Sequence, residues 1–207
     1  MSLTDTRDQE YTQRLVTLEN VWWKKLIGAQ AIYAWNLRRL EPGFTLDIGC
    51  GIGRNLRHIG GSGVGIDHNR HSVAHARNQG LEAYTTEEFK QSEHNQPGHF
   101  DSILLSHVAE HMTYVDYVAL LMEYGPLLRD GGRILVFCPQ EAGFKTDSSH
   151  VEFMDFVKLR RAAGEAGLKS EREYSFPFPR FAGRVFPYNE FVSVSRRQEA
   201  RRDPSDR

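Results

Sequence analysis

Short runs of β-branched and apolar residues alternate along the chain with longer segments whose apolar residues recur three and four positions apart. This alternation is the signature of a parallel sheet covered on both faces by helices. It predicts strands over Phe44–Ile48, Gly63–Asp67, Leu81–Tyr84, Phe100–Ser106 and Arg133–Cys138, with crossover helices over Arg54–Ile59, Ser72–Gln79 and Val115–Leu128. The end of the chain reads differently. A strand-like run over Phe186–Ser195 is reached from Glu171–Phe176 through a loop containing Pro177, Pro179 and Gly183, which suits an antiparallel hairpin-like edge better than another βαβ unit. Before the first strand, Thr17–Leu40 reads as a helix with Leu18, Val21, Trp22, Ile27, Ala31 and Trp35 as its apolar stripe. The stripe is expected to pack on the sheet or to close as a lid over a ligand. The expected division is a tail and helical lid over residues 1–40, a core over 41–195 and a disordered polar tail over 196–207.

Composition narrows the function classes. The 26 Lys and Arg against 27 Asp and Glu leave a net charge of -1, so a basic groove for a phosphate backbone is not expected and nucleic acid is an unfavoured partner. No apolar run reaches the roughly 18–20 residues that a bilayer span needs, and Met1–Asp5 lacks the basic and apolar start of a secretory signal. A cytoplasmic protein is expected. The two cysteines, Cys50 and Cys138, lie in apolar runs and suit free thiols in a reducing compartment.

The segment Leu46-Asp47-Ile48-Gly49-Cys50-Gly51-Ile52-Gly53-Arg54 carries the most chemistry. A buried strand runs into three alternate glycines and then a helix, so a ligand can approach the backbone with no Cβ in its way. Arg54 stands where a dinucleotide fingerprint needs a small residue for close packing of helix on strand, and Asp47 would repel a pyrophosphate while attracting an amino group. Asp67, at the end of the next strand, is placed to accept both hydroxyls of a ribose. An amino group near one acid and a ribose on another describe S-adenosylmethionine.

Leu46–Gly53 and Gly63–Asp67 resemble the first two motifs of the class I S-adenosylmethionine-dependent methyltransferases. Phe100–His107 resembles the fourth-strand motif of that family, and Leu127–Val136 the turn before its fifth strand. The resemblance implies a Rossmann-like α/β methyltransferase fold in one domain, with a mostly parallel seven-stranded sheet whose last strand is antiparallel. It implies that Gly49, Gly51 and Gly53 pass along the methionine part, that Asp47 serves the amino group and Asp67 the ribose, and that His68 lies over the adenine edge. Ser106, closing the fourth-strand motif, joins the cofactor residues. A clear acid for the adenine amino group is missing; Thr85, Thr86 and Glu87 occupy its place, and Thr86 stands for the group among the expected contacts.

With the methyl already activated on the cofactor, the protein must align an acceptor and, for a hydroxyl, remove its proton, a task suited to a neutral histidine. Strand ends nominate His107 or His150 as base, with Glu110 orienting a histidine or an acceptor hydroxyl and His111 beside them. His107-Val108-Ala109-Glu110-His111 also fits the H-x-x-E-H pattern of inverted zinc peptidases. It follows an apolar strand directly, however, instead of lying within an amphipathic helix, and that reading leaves the glycine loop without a purpose. A magnesium ion on Glu110, His111, Asp147 or His150, orienting an acceptor diol, is a further expectation. The aromatic, proline-rich stretch Phe176–Asn189, with Arg180 and Arg184, reads as a wall for a sugar or planar ring, or as a face packed on the sheet or on a second subunit in a homodimer.

These features predict O-methylation of a small hydroxylated acceptor. The likeness extends to compact actinobacterial methyltransferases of saccharide hydroxyls, a mannoside among their acceptors. A natural-product or quinone-like hydroxyl, a tRNA or protein side chain, and a cofactor-binding scaffold without catalysis are the alternatives.

Overall fold

A computed structural model describes residues 9, 10, 12, 13, 17 and 27–198. Seven strands form one sheet in the order β3-β2-β1-β4-β5-β7-β6. They are β1 (Thr45–Ile48), β2 (Gly63–Asp67), β3 (Ala83–Thr85), β4 (Phe100–Ser106), β5 (Leu128–Pro139), β6 (Leu168–Phe176) and β7 (Glu190–Arg197). β2 pairs parallel with β1 and β3, and β7 runs antiparallel to both β5 and β6. The antiparallel edge expected at the end of the chain is therefore present. Within this sheet the chain groups into two compact units, Met1–Asn95 with Leu104–Ser106, and Gln96–Ile103 with His107–Arg207.

In the first unit, helix α1 (Ile27–Arg38) precedes β1, α2 (Arg54–His58) and α3 (Arg70–Asn78) flank β2, and α4 (Thr86–Lys90) follows β3. β1 and β2 are buried along their whole length, as their nearly continuous apolar sequences require. Cys50, Val73, Ala76 and Ala83 pack into one cluster with Leu81 against it. α3 begins two residues before its predicted start because Asn69 caps it, its Oδ1 accepting from the backbone N–H of His71 (3.0 Å) and Ser72 (3.2 Å). The stripe expected on the N-terminal helix needs correction. Leu18, Val21 and Trp22 lie outside the described residues, Ala31 is exposed, and Trp35 is 55% exposed with the Arg39 guanidinium over its ring. Ala34, Leu37 and Leu40, three residues apart, form the buried face instead.

In the second unit, helix α5 (Tyr114–Tyr124) is capped by Thr113 and gives way to a 3-10 turn at Gly125–Leu127. Pro126 cannot extend the ladder, so β5 begins at Leu128, inside the predicted helix and five residues before the predicted strand. A short helix α6 (Glu141–Phe144) follows β5. Helix α7 (Phe156–Glu165) has no counterpart among the predicted elements. Asp155 caps it, and its buried stripe of Leu159, Ala162 and Ala163 is mostly alanine, which gives a weak periodic signal. Phe156 and Phe153 meet Phe191 of β7 edge to face, with centroids 4.7 and 5.9 Å away. The last strand starts later than predicted, at Glu190, and continues to Arg197. Arg196 Nη1 donates to the carbonyl of Gly131, and Arg197 Nη1 to those of Pro126 and Leu128. Two residues expected in the polar tail thus belong to the sheet. Among the described residues no helix is long and apolar enough to cross a membrane.

Two glycines separate backbone constraint from intrinsic propensity. A Cβ at Gly63 would stand 2.1 Å from the Thr45 carbonyl oxygen, whereas one at Gly164, in α7, would meet nothing within 4 Å. Gly63→Ala should lower stability by about 2 kcal/mol or more, and Gly164→Ala should raise it by about 0.5–1 kcal/mol. The two midpoints of urea unfolding should therefore move in opposite directions from that of the unsubstituted protein.

Candidate active site

The first unit gathers the two acids and the three glycines. Gly49, Gly51 and Gly53 hold φ of 74°, 53° and 80°, a left-handed run that turns the chain from β1 into α2. Gly49 and Cys50 both donate to the Ile66 carbonyl, at 2.8 and 3.0 Å, which ties the loop to β2. A Cβ on Gly53 would come within 2.3 Å of Leu81 Cδ1, so Gly53 provides the close approach beneath α2 while Arg54 remains exposed. Asp67 Oδ2 accepts from the Gly51 N–H and Oδ1 from the Asn69 N–H, each at 2.8 Å. This carboxylate therefore fixes the loop and the turn after β2, and each oxygen keeps a second lone pair. Thr12 is buried beside that turn. Its hydroxyl is 2.9 Å from Ser72 Oγ and donates to Asn69 Oδ1 at 3.3 Å.

Asp47 is the outlier. It has no exposed surface, and neither carboxylate oxygen has a hydrogen-bond partner among the described residues. Burial drives its carboxyl up from 3.8 to about 7. The Asn55 side chain and the Arg54 guanidinium, neither in hydrogen-bonding geometry with it, offset only part of that cost, and nearby Asp67 adds to it. An orphaned acid beside a left-handed glycine loop, next to a preorganised second carboxylate, fits the ammonium and ribose of S-adenosylmethionine. His68 is exposed, its Nδ1 3.5 Å from Asp67 Oδ1. Thr85 is occupied in a capping box with Glu88, which leaves Thr86, the first residue of α4, and Glu87 as the free alternatives of that trio. Ser106 closes β4, half-buried. Cys50 and Cys138 are free and buried, and burial raises both thiols far above their ordinary range, so neither acts as a nucleophile.

The second unit gathers the candidates for acceptor chemistry. His107 adopts a left-handed φ of 58° immediately after β4, anchored by its N–H to the Phe137 carbonyl at 2.9 Å. Its Nδ1 lies 3.0 Å from Glu110 Oε1 and its Nε2 2.9 Å from Glu190 Oε1. Desolvation is the largest single influence on the imidazole and pulls it down. The hydrogen bonds and charges of Glu110 and Glu190 outweigh it and raise the group to about 10. Two carboxylates, one on each ring nitrogen, favour the imidazolium form of His107, unlike the neutral base expected at that position. Its charge and hydrogen bond also hold Glu110 below the usual carboxylate range against the opposing effect of burial.

Glu110 lies in a 3-10 turn over Ala109–His111 and is fully buried. Its backbone carbonyl accepts from Val151 (2.7 Å) and Glu152 (3.2 Å), which draws the loop after α6 onto the turn. Glu110, His111 and His150 are thereby brought together, their potential ligand atoms all within 4.8 Å of one another. His150 stacks on Phe144, with centroids 5.1 Å apart, and its Nδ1 is 2.6 Å from the Phe144 carbonyl. Asp147 does not join this group. Its Oδ1 accepts from the Ser149 N–H at 2.9 Å and from its hydroxyl at 2.7 Å.

A buried polar network centred on Gln140, which the sequence pattern did not mark, organises the surroundings. Gln140, completely buried, donates to Ser175 Oγ and to the Glu190 carbonyl, and accepts from Asn189, itself buried. Asn189 Oδ1 accepts from the Phe178 N–H at 2.8 Å, while Arg180 pairs with Glu141 and lies 4.6 Å over the Phe191 ring. The only sequence signal was the polar pair Asn189-Glu190 interrupting an apolar stretch. The network holds the Phe176–Asn189 segment, on which Phe178, Phe181, Val185 and Tyr188 are exposed, Phe181 by 73% and Val185 by 82%.

Comparison with known proteins supplies the family. A methyltransferase domain family matches residues 46–134, from β1 into β5. Over residues 46–134 the chain is similar to methyltransferase domains. Solved structures share its fold well beyond that segment. A SAM-dependent methyltransferase of Archaeoglobus fulgidus is 16% identical with a TM-score of 0.66, over 86% of this chain and 99% of its own. The putative methyltransferase of Haloferax volcanii, solved with the Trm112 methyltransferase activator, is 17% identical with a TM-score of 0.68, over 94% and 97%. A Burkholderia thailandensis 1,6-didemethyltoxoflavin-N1-methyltransferase, solved with its substrate and S-adenosylhomocysteine, is 14% identical with a TM-score of 0.60, over 96% and 92%. No curated protein matches the chain in sequence. S-Adenosylmethionine is the cofactor of such methyltransferases, and Asp47, Asp67 and the three glycines are the residues here that could hold it.

Asp47 gives the cofactor site a pH signature. Its carboxyl is raised in the folded apo-methyltransferase, so its contribution to stability is fully present below about 4 and is lost as the pH rises through about 7. The ionised form carries a penalty on the order of 4 kcal/mol. A bound ammonium favours that ionised form, so cofactor affinity should fall as the pH drops below about 7. Asp47→Asn at pH 8 should stabilise the apo-protein by roughly 1–3 kcal/mol and weaken S-adenosylmethionine by tenfold or more. Paired thermal melts and calorimetric titrations over pH 6–8 measure both effects, and equal affinity at the two ends would refute the assignment.

Proposed function

We propose that the methyltransferase carries out O-methylation of a small hydroxylated acceptor, a saccharide of mannoside type being the best candidate, in the cytoplasm. The observation that carries this reading is the Glu110, His111 and His150 group. S-Adenosylmethionine supplies an electrophilic methyl, so the chain's own residues must present the acceptor oxygen and relieve it of its proton. His107 cannot take that proton, since both ring nitrogens already donate to carboxylates. The lone pair on His150 Nε2 is available, because Nδ1 carries its hydrogen toward the Phe144 carbonyl. Glu110 Oε2 is a second acceptor with no partner.

His107 is then a positioning residue. It holds Glu110 by one nitrogen and Glu190 by the other, and Glu110 in turn holds the His150 loop through its carbonyl. The exposed aromatic faces of Phe178 and Tyr188, with Phe186 between them at centroid distances of 5.2 and 5.6 Å, suit stacking on a sugar ring. In the first unit, Asp47 and the glycine loop would hold the methionine part and Asp67 the ribose, with His68, Thr86 and Ser106 as further cofactor contacts. The N-terminal segment fits the role of a lid, since Thr12 already reaches the turn that Asp67 fixes.

The test is a panel of saccharide, phenolic, quinol and amine acceptors incubated with S-adenosylmethionine and read by mass spectrometry for methyl gain. A saccharide should gain the methyl on oxygen. His150→Ala should lower turnover about 100-fold or more, with S-adenosylmethionine affinity within about twofold of the unsubstituted enzyme. Methylation confined to nitrogen acceptors, or full turnover in His150→Ala, would overturn the proposal.

A further inference from the structure

We infer that Glu110, His111 and His150 form a binding site for a divalent first-row transition metal ion. Their ligand atoms already lie within 4.8 Å of one another. Each presents a free lone pair for a separate reason. Glu110 uses Oε1 on His107, while Oε2 is buried with no hydrogen-bond partner. His150 points Nδ1 at the Phe144 carbonyl, 2.6 Å away, and His111 points Nδ1 at the Ser149 carbonyl, 3.3 Å away. In both rings the hydrogen therefore sits on Nδ1 and the lone pair on Nε2. A backbone carbonyl behind the distal nitrogen is the usual support of a metal-bound imidazole, because it fixes tautomer and ring orientation together.

The ligand set also selects the ion. Two imidazoles and one carboxylate suit zinc, cobalt, manganese or iron, whereas magnesium prefers a shell of oxygens. Asp147, which a magnesium site would have drawn in, has its Oδ1 bonded to Ser149. Three protein ligands leave open positions, and His111 is exposed, so water or a ligand oxygen can complete the shell. An ion held there would occupy the His150 lone pair, so in the metal-loaded protein the acceptor hydroxyl would bind at an open position with a lowered pKa and give its proton to water, whereas in the metal-free protein His150 takes it. That last role rests on the O-methylation reading, whereas the site itself does not.

The experiment uses the full-length protein, stripped with chelator, dialysed and titrated with Co²⁺ followed by visible absorption and with Zn²⁺ followed by calorimetry. No methyl donor or acceptor is present. Both titrations should saturate at about one ion per chain, with a ligand-field band for cobalt. His111→Ala and His150→Ala should each weaken binding by roughly tenfold or more, and Asp147→Asn should leave it unchanged. Because His111 is exposed, its variant should fold normally, which near-UV circular dichroism checks. Absence of binding, or binding that both histidine variants retain, would overturn the site. Such a failure would not touch the methyl-transfer reading, and an acceptor panel that shows no methylation would not alter the titrations.

Discussion

Glu110 has no access to water, and a buried carboxylate must find donors or a cation in the protein around it. Much of the second unit can be read as the answer to that requirement. His107 takes a left-handed backbone at the end of β4, which lets its ring turn back onto Glu110 Oε1, and Glu190 at the start of β7 holds the other side of the same ring. The backbone of Glu110 works in parallel, its carbonyl fastening Val151 and Glu152. A buried charge in the turn after β4 thus dictates where two other segments run. The second carboxylate oxygen, still unanswered, keeps the arrangement from being purely structural.

The first unit solves the opposite problem. Asp67 has backbone N–H groups on both oxygens, and Asp47 has a partner on neither. Two acids facing one glycine loop differ in this way because one builds the loop and the other waits on it. A cleft that stores an unfavourable ionisation is costly until a cation arrives, so the binding energy of that cation is partly spent on relieving a strain created by folding.

Much of this was legible before any coordinates. The strands β2 and β4 fall where their apolar runs place them, and the glycine loop with Asp47 and Asp67 follows from residue type and spacing. Three kinds of feature were not legible. Helix α7 buries mostly alanine, so its periodicity is faint. The N-terminal helix turns Ala34 and Leu37 inward and leaves Trp35 half-exposed, because a tryptophan can cover apolar surface from the rim while carrying an arginine on its face. Partners distant in sequence, such as Glu190 for His107 or Asn189 for Gln140, depend on strand pairing that no local pattern encodes. At position 107 the expectation of a neutral histidine gives way for that reason, since that ring's protonation is set by neighbours 3 and 83 positions away, while His150 keeps the role open to it.

Position 107 satisfies two demands that few side chains meet together. It needs a backbone that tolerates a positive φ, which excludes β-branched residues, and it needs two donors pointing in different directions. Asparagine fits the backbone but cannot span from Glu110 to Glu190, and lysine or arginine supplies charge without the short rigid bridge. The substitutions open to this site are therefore nearly exhausted by histidine itself. Residues 107, 110 and 190 thus act as one unit, in which a change at any one leaves the other two with an unanswered charge or donor.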